Sequence, residues 1–289
     1  MLKRTLSPLV LAMLAAAFPL AAETPKDPKS PVPTAADGRG PTGPVELKIL
    51  TPQANELIPL ADASAAGGKA ESTPQTTNVS VTFELSGYEL FQDEKTQTGQ
   101  CLNVMLDNSP HQLHCEAGKP FVLKNVPRGT HTIRAFPSRP WRESIKEPKA
   151  FASVRFHVGE KDYGNIFVPE TPLLTYSQPK GKYPKTAGKV LFDFHVSSCT
   201  LGTEKDQCEV RYHLDDKPEV SVTKWEPAWW SGLSVGRHAY TLTLYQNGEP
   251  VPGPFNLSKG FFEIVDDAAP KPKATPTPGR QKPGAGGRQ

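Results

Sequence analysis

Apolar and polar residues alternate with a period of two from Val45-Glu46-Leu47-Lys48-Ile49-Leu50 onward, which puts Val45, Leu47 and Ile49 on one face of a strand. Strand signals recur at 79–85, 102–106, 121–123, 130–136, 151–158 and 165–168. Pro169-Glu170-Thr171-Pro172 interrupts the series, and a second one follows at 173–176, 190–196, 208–214, 238–244 and 260–265, with a Trp-rich stretch before the last two. The runs are rich in Val, Thr, Phe and Tyr and are broken by Pro and Gly, while no amphipathic helix of three or more turns is visible. The expected fold class is all-β: two tandem antiparallel β-sandwich domains, 45–168 and 169–265, with disordered Pro-rich termini.

The two halves read as copies. Leu106-Asp107-Asn108-Ser109-Pro110 has a counterpart in Leu214-Asp215-Asp216-Lys217-Pro218, each ending a strand, and Val126-Pro127-Arg128-Gly129-Thr130-His131 has one in Leu233-Ser234-Val235-Gly236-Arg237-His238. The offsets differ by a single residue, and a period of this length suits tandem domains rather than a solenoid. The similarity of Arg155-Phe156-His157-Val158 to Asp193-Phe194-His195-Val196 breaks that register and is set aside as coincidence.

In the strand ending at Leu106-Asp107, the turn and strand from Val126 to Arg134, and their second copy in Leu233 to Leu244, the chain resembles bacterial immunoglobulin-like or fibronectin-type-III-like modules over about residues 45 to 265. The resemblance implies binding or spacing without specifying a partner. The cysteines depart from the antibody pattern, in which one bridge joins two sheets across a long separation and packs on a Trp.

Outside these modules the chain changes character. Residues 1–22 carry Lys3 and Arg4 before an apolar run from Leu6 to Ala22, interrupted by Pro8 and Pro19 and ending in small residues, so a cleaved secretory signal is expected. The run is shorter than the ~20 residues of a stable membrane span. Residues 23–44 are Pro-rich and should form a disordered linker, residues 62–77 a mobile loop inside the first domain, and residues 266–289 a disordered basic tail. With 31 Pro, 23 Gly and 37% hydrophobic residues in 289, modest β domains and linkers account better for the composition than one large α/β enzyme. The formal charge of +3 includes Lys3, Arg4 and a tail with five cations against Asp266 and Asp267, so residues 23–265 carry about −2 and lack the basic surface of a nucleic-acid binder.

Four cysteines in an exported chain are expected to pair. If Asp107-Asn108-Ser109-Pro110 is a hairpin turn, residues whose numbers sum to 216 face each other, as Cys101 and Cys115 do. Cys199 and Cys208 flank the polar loop TLGTEKDQ and should close the mouth of a second hairpin.

Binding residues are sought among exposed aromatics. In Trp225-Glu226-Pro227-Ala228-Trp229-Trp230, neighbouring strand residues face opposite ways; Trp230 aligns with Leu123 of the first copy and belongs to the core, leaving Trp225 and Trp229 as a platform for a sugar ring or peptide, or as a packing surface against the first domain. A second candidate is the loop 139–148, where Arg139, Trp141 and Arg142 suit an anionic or glycan ligand, although Glu143 and Glu147 favour internal ion pairs instead. His111 and His114 point to opposite faces of a strand, so no metal site is expected. His131 and His238, equivalent in the repeat, are expected to hydrogen-bond to the preceding turn.

No nucleophile elbow, phosphate loop, dinucleotide fingerprint or HExxH motif is present, and neither catalytic residues nor a cofactor are expected. The expectation is a non-enzymatic, periplasmic or secreted binding or spacer protein whose partner is an envelope protein or a cell-wall glycan. The alternatives are a carbohydrate-binding module using Trp225 and Trp229 and, from another class, a glycan hydrolase using Glu143 with a distant carboxylate.

Overall fold

The computed structural model describes residues 40–60 and 76–267. The expected signal, most of the linker and of the 62–77 loop, and the tail beyond Asp267 lie outside the described residues.

In the first module, β1 (Glu46–Thr51), β3 (Thr76–Ser86) and β7 (Phe121–Pro127) form one sheet. The second sheet runs β2 (Leu57–Ile58), β9 (Ala152–Val158), β8 (Gly129–Ser138), β5 (Gly99–Leu106), β4 (Phe91–Gln92), with β6 (Gln112–His114) also paired to β5. The second module repeats the plan. β10 (Leu173–Gln178), β12 (Lys189–Ser197) and β15 (Ala228–Ser231) form one sheet, and β11 (Gly181–Pro184), β18 (Leu257–Val265), β16 (Gly236–Gln246), β13 (Cys208–Leu214) and β14 (Val220–Val222) the other, with β17 (Glu249–Pro250) on β16. In both modules the first strand bulges, crosses a cis X-Pro bond at Thr51-Pro52 or Gln178-Pro179, and resumes as a short strand parallel to the last one. One short 3₁₀ turn, Lys185–Ala187, is the sole helical element among the described residues, and no helix there is long and apolar enough to cross a membrane.

Each module encloses its own core. Val79, Val81, Leu102, Val104, Leu123, Ile133 and Phe156 fill the first, and Val190, Phe192, Val210, Trp230, Leu242, Leu244 and Phe262 the second. The aligned pair Leu123 and Trp230 is buried in both, with Leu123 opposite Val79 and Trp230 opposite Val190. The match between 155–158 and 193–196 is coincidental, since β9 and β12 belong to different kinds of sheet in their modules.

Two expectations need correction. Residues 165–168 form no strand: Asn165 has φ 49°, which breaks an extended run, and its side-chain amide donates to Thr130 O while its own carbonyl accepts from Thr132 Oγ1, fixing a turn. Cys199 and Cys208 do not close a hairpin, because β12 and β13 lie in opposite sheets and the bridge spans the crossover between them. Both expected disulfides are present, Cys101–Cys115 and Cys199–Cys208, and the first hairpin has the expected register, Leu102 facing His114 and Val104 facing Gln112. Replacing Cys199 and Cys208 together by Ser is expected to lower the unfolding free energy by about 2 to 3 kcal/mol, the chain-entropy value for a loop this short. The readout is the urea midpoint at unchanged slope, and a midpoint equal to wild type would show that the crossover needs no staple.

Candidate functional site between the modules

A strand in a two-sheet sandwich buries one face and wets the other, yet every residue of β8 is buried and β5 is buried at all but its last position. Ile133 and Ala135 point into the first core; Arg134 and Phe136, one step out of phase, point to the second module. The covering surface is the outer face of β10 and β12, where Thr175, Ser177, Asp193 and His195 alternate with the core residues Leu174, Phe192, Phe194 and Val196. The two sandwiches therefore share a third layer, polar and aromatic.

Arg134 crosses that layer. One terminal nitrogen donates to Leu174 O at 3.0 Å and Thr175 Oγ1 at 3.1 Å, and the other to Asp107 O at 2.6 Å and Asn108 Oδ1 at 3.2 Å. The guanidinium lies 4.3 Å from the Phe255 ring centroid. Burial pulls its pKa down to about 10, opposed by the Asp107 charge, so it stays protonated at neutral pH.

At the middle of β12 the loop after β8 docks on Asp193. The fully buried carboxylate accepts from Lys146 Nζ at 2.5 Å, Ser144 Oγ at 3.0 Å and Ser144 N at 3.3 Å, and Lys146 also donates to Phe194 O at 3.0 Å. Beside it His195, wholly enclosed, stacks on Phe151 at 4.7 Å and meets Trp225 edge-on at 4.5 Å. Burial, followed by the Lys146 charge, holds this imidazole well below its ordinary pKa.

The sequence candidates fall in three places. Trp225 packs under that loop, donating to Phe194 O at 3.2 Å, with Lys146 5.7 Å from its ring. Trp229 lies on the outer face of the small sheet opposite Leu191, half-buried, with Lys189 Nζ 4.7 Å from its ring centroid. Arg139, Trp141 and Glu143 form one cluster: the indole N–H donates to Glu143 Oε2 at 2.9 Å, and Arg139 pairs with Oε1 of the same carboxylate at 3.4 Å. Arg142, at φ 75°, lies instead near His111 and Lys180, whose pKa values are lowered mainly by burial and further by its charge.

No family model matches this chain, and no curated protein matches it. Among solved structures, the fibronectin(III)-like modules of Clostridium thermocellum CbhA match over 79% of this chain and 99% of theirs, at 10% identity and a TM-score of 0.24. At that score the match carries no argument, and the assignment of the fold rests on the strand order itself. The chain is built from two immunoglobulin- or fibronectin-III-like β-sandwich modules.

The repeat residues His131 and His238 sit in twin clamps. His131 Nδ1 lies 2.7 Å from Asp107 Oδ2 and its Nε2 2.8 Å from Pro127 O, while His238 makes the same contacts to Asp215 Oδ2 and Ser234 O at 2.7 and 2.9 Å. The second carboxylate oxygen of each Asp accepts a backbone N–H, from Thr132 and Ala239. Each histidine thus ties a strand end to the turn four residues before it, as expected from the repeat.

A cleft of about 700 Å³ opens where the modules meet. The first module contributes Met105, the turn 108–111 and Arg134. The second contributes Tyr176, Ser177 and Lys180, Tyr240 on β16, Phe255 and the outer end of β18. Neither Arg134 nor the cleft was singled out from the sequence. The available signal was Phe136, an aromatic two residues from Arg134 on the face that a lone sandwich would leave wet.

The histidines set a pH dependence. Burial lowers the pKa of His195 strongly, that of His111 to about 3, and those of His114 and His157 to a lesser extent. For His131 burial acts in the same direction but is outweighed by the Asp107 hydrogen bond and charge, so its pKa is raised. Rings with lowered pKa stabilise the fold above about pH 6.5 and lose that contribution as the pH falls, because the unfolded chain takes up protons they refuse. His131 acts oppositely: its contribution is complete below about 6.5 and is lost as the pH rises through its raised value. The strongly lowered His195 and His111 dominate, so stability is expected to fall between pH 7 and 5, by up to about 1.4 kcal/mol per pH unit for each of these two rings. His195→Phe, which keeps the stacked layer, should flatten that slope in urea titrations, whereas an identical slope would mean that His195 accepts a proton in the native state.

Proposed function

We propose that the protein is an exported, non-catalytic binding or spacer protein of the cell envelope, in which the two modules act as one rigid arm. The observation that carries this reading is the buried junction of Arg134 with Leu174 and Thr175 and of Lys146 with Asp193. An uncompensated charge buried by loss of its partner is strongly unfavourable, so such a junction holds two domains in fixed orientation where a flexible linker would let them swing. The two local disulfides suit an oxidising compartment, and the Lys3-Arg4 leader suits export to it. The partner in this reading is an envelope protein or a cell-wall glycan, met by the half-buried Trp229 and by the cluster of Arg139 and Trp141, with Trp225 buttressing the junction behind them.

The test has two arms. Fractionation of a Gram-negative host expressing the full chain should recover a processed form in the periplasm or medium with no free thiols, and retention in the cytoplasm with free thiols would remove the envelope assignment. Sedimentation with purified peptidoglycan sacculi or envelope proteins should co-pellet the wild type and lose Trp229→Ala, and equal recovery of both would remove Trp229 from the binding surface.

A further inference from the structure

The cleft between the modules has three properties not explained by packing. The first is unused hydrogen-bonding capacity: His111 Nε2, Ser177 Oγ and Arg134 Nε, all on lining residues at most 5% exposed, are buried without a partner. Native proteins leave few such groups, and three around one cavity point to something that belongs there. The second is charge. Arg134, Lys180 and Lys259 line the cleft and, among the described residues, no Asp or Glu does. The nearest acid to Arg134, Asp107, is already engaged by His131 and the Thr132 amide. Lys180 donates only to His111 O, at 2.9 Å, and burial together with Arg142 brings its pKa down to about 8, the behaviour of a cation lacking its anion. The third is an apolar wall. Tyr176 and Tyr240 stack at 4.4 Å, Met105 and Phe255 close the floor, and Leu257 and Phe261 remain about half exposed at the rim.

We propose that this cleft binds a small amphipathic anion, its apolar body on Tyr176, Tyr240, Leu257 and Phe261 and its acidic head between Lys180, Ser177 and His111. The volume is that of an ordinary small-molecule site. A hydroxyl, an imidazole and an ammonium can all donate to a carboxylate, which would satisfy His111 Nε2 and Ser177 Oγ and neutralise the Lys180 charge together. Fatty acids and aromatic acids share this chemistry. The site is separate from the aromatic cluster of the envelope reading, so its failure would leave that reading untouched.

Isothermal titration of the full-length chain with decanoate and with 2-naphthoate tests the proposal, with decyltrimethylammonium as the charge-reversed control. At least one acid should bind saturably with one site per chain, the preferred one revealing an aliphatic or aromatic body, and the cation at least about tenfold more weakly. Lys180→Gln, which retains the donor to His111 O but removes the charge, should weaken acid binding about tenfold, a loss on the scale of one charge-assisted hydrogen bond. Lys259→Gln, on an exposed side chain at the cleft, should weaken it in the same direction. Absence of binding by both acids at millimolar concentration, equal affinity for the cation, or unaltered affinity in both variants would overturn the site.

Discussion

Arg134→Ala is expected to lower the unfolding free energy by about 3 to 5 kcal/mol and to split one cooperative urea transition into two. The side chain is 1% exposed and supplies donors to two acceptors in each module, Asp107 O and Asn108 Oδ1 in the first and Leu174 O and Thr175 Oγ1 in the second. Truncation leaves the buried Leu174 O and Thr175 Oγ1 without this donor and a void beside Phe255. The modules have separate cores, so losing the junction should leave each folded while removing their mutual stabilisation. Trp225, Trp229 and Trp230 report the second module by fluorescence, and the Cys101–Cys115 hairpin amides report the first by hydrogen exchange. Arg134→Lys should recover only part of the loss, because an ammonium cannot span the two pairs of acceptors that the planar guanidinium reaches. A single transition at the wild-type midpoint in Arg134→Ala would show that the third layer holds without its cation.

Asp193→Ala should destabilise by a similar amount, about 3 to 5 kcal/mol, through the opposite charge. Its carboxylate is the acceptor for Lys146 and for both the hydroxyl and the amide of Ser144, and removing it strands the Lys146 ammonium against Phe194 and Trp225. Lys146→Met in the Asp193→Ala background should restore part of the loss, because the apolar pair no longer buries a lone charge, and the double-mutant cycle should give a coupling well above the 0.2 to 1 kcal/mol typical of exposed pairs, on the order of 2 kcal/mol or more. Additive effects of the two substitutions would show that Lys146 and Asp193 do not act as a pair.

The alternation of apolar and polar residues was enough to locate the long strands, because a period of two has one structural solution when one face must be dry. It did not reveal β2, β4, β11, β14 and β17, which at two to four residues are too short to show a period. The first disulfide followed from hairpin register. The second was paired correctly on a wrong premise, since spacing along the chain cannot tell a hairpin from a crossover between sheets. The turn contact of each histidine was visible as the repeat of His131 in His238, a local arrangement in which the ring returns to a residue four positions earlier, whereas the Asp107 and Asp215 partners emerged only in the structure.

What the chain's own pattern determined, then, depends on neighbours within one module: all-β architecture, two copies, two cores, local disulfides and the turn-binding histidines. Only the tertiary structure decided what covers the outer faces. Thr132 and Arg134 on one strand, and Asp193 and His195 on another, have the alternation of a solvated face, and periodicity reports which side a residue is on without reporting whether water or a second sandwich lies beyond it. The junction, and the cation-lined cleft at its edge, arise because two such faces with complementary donors and acceptors meet, a relation between residues 40 to 50 positions apart that no local window contains.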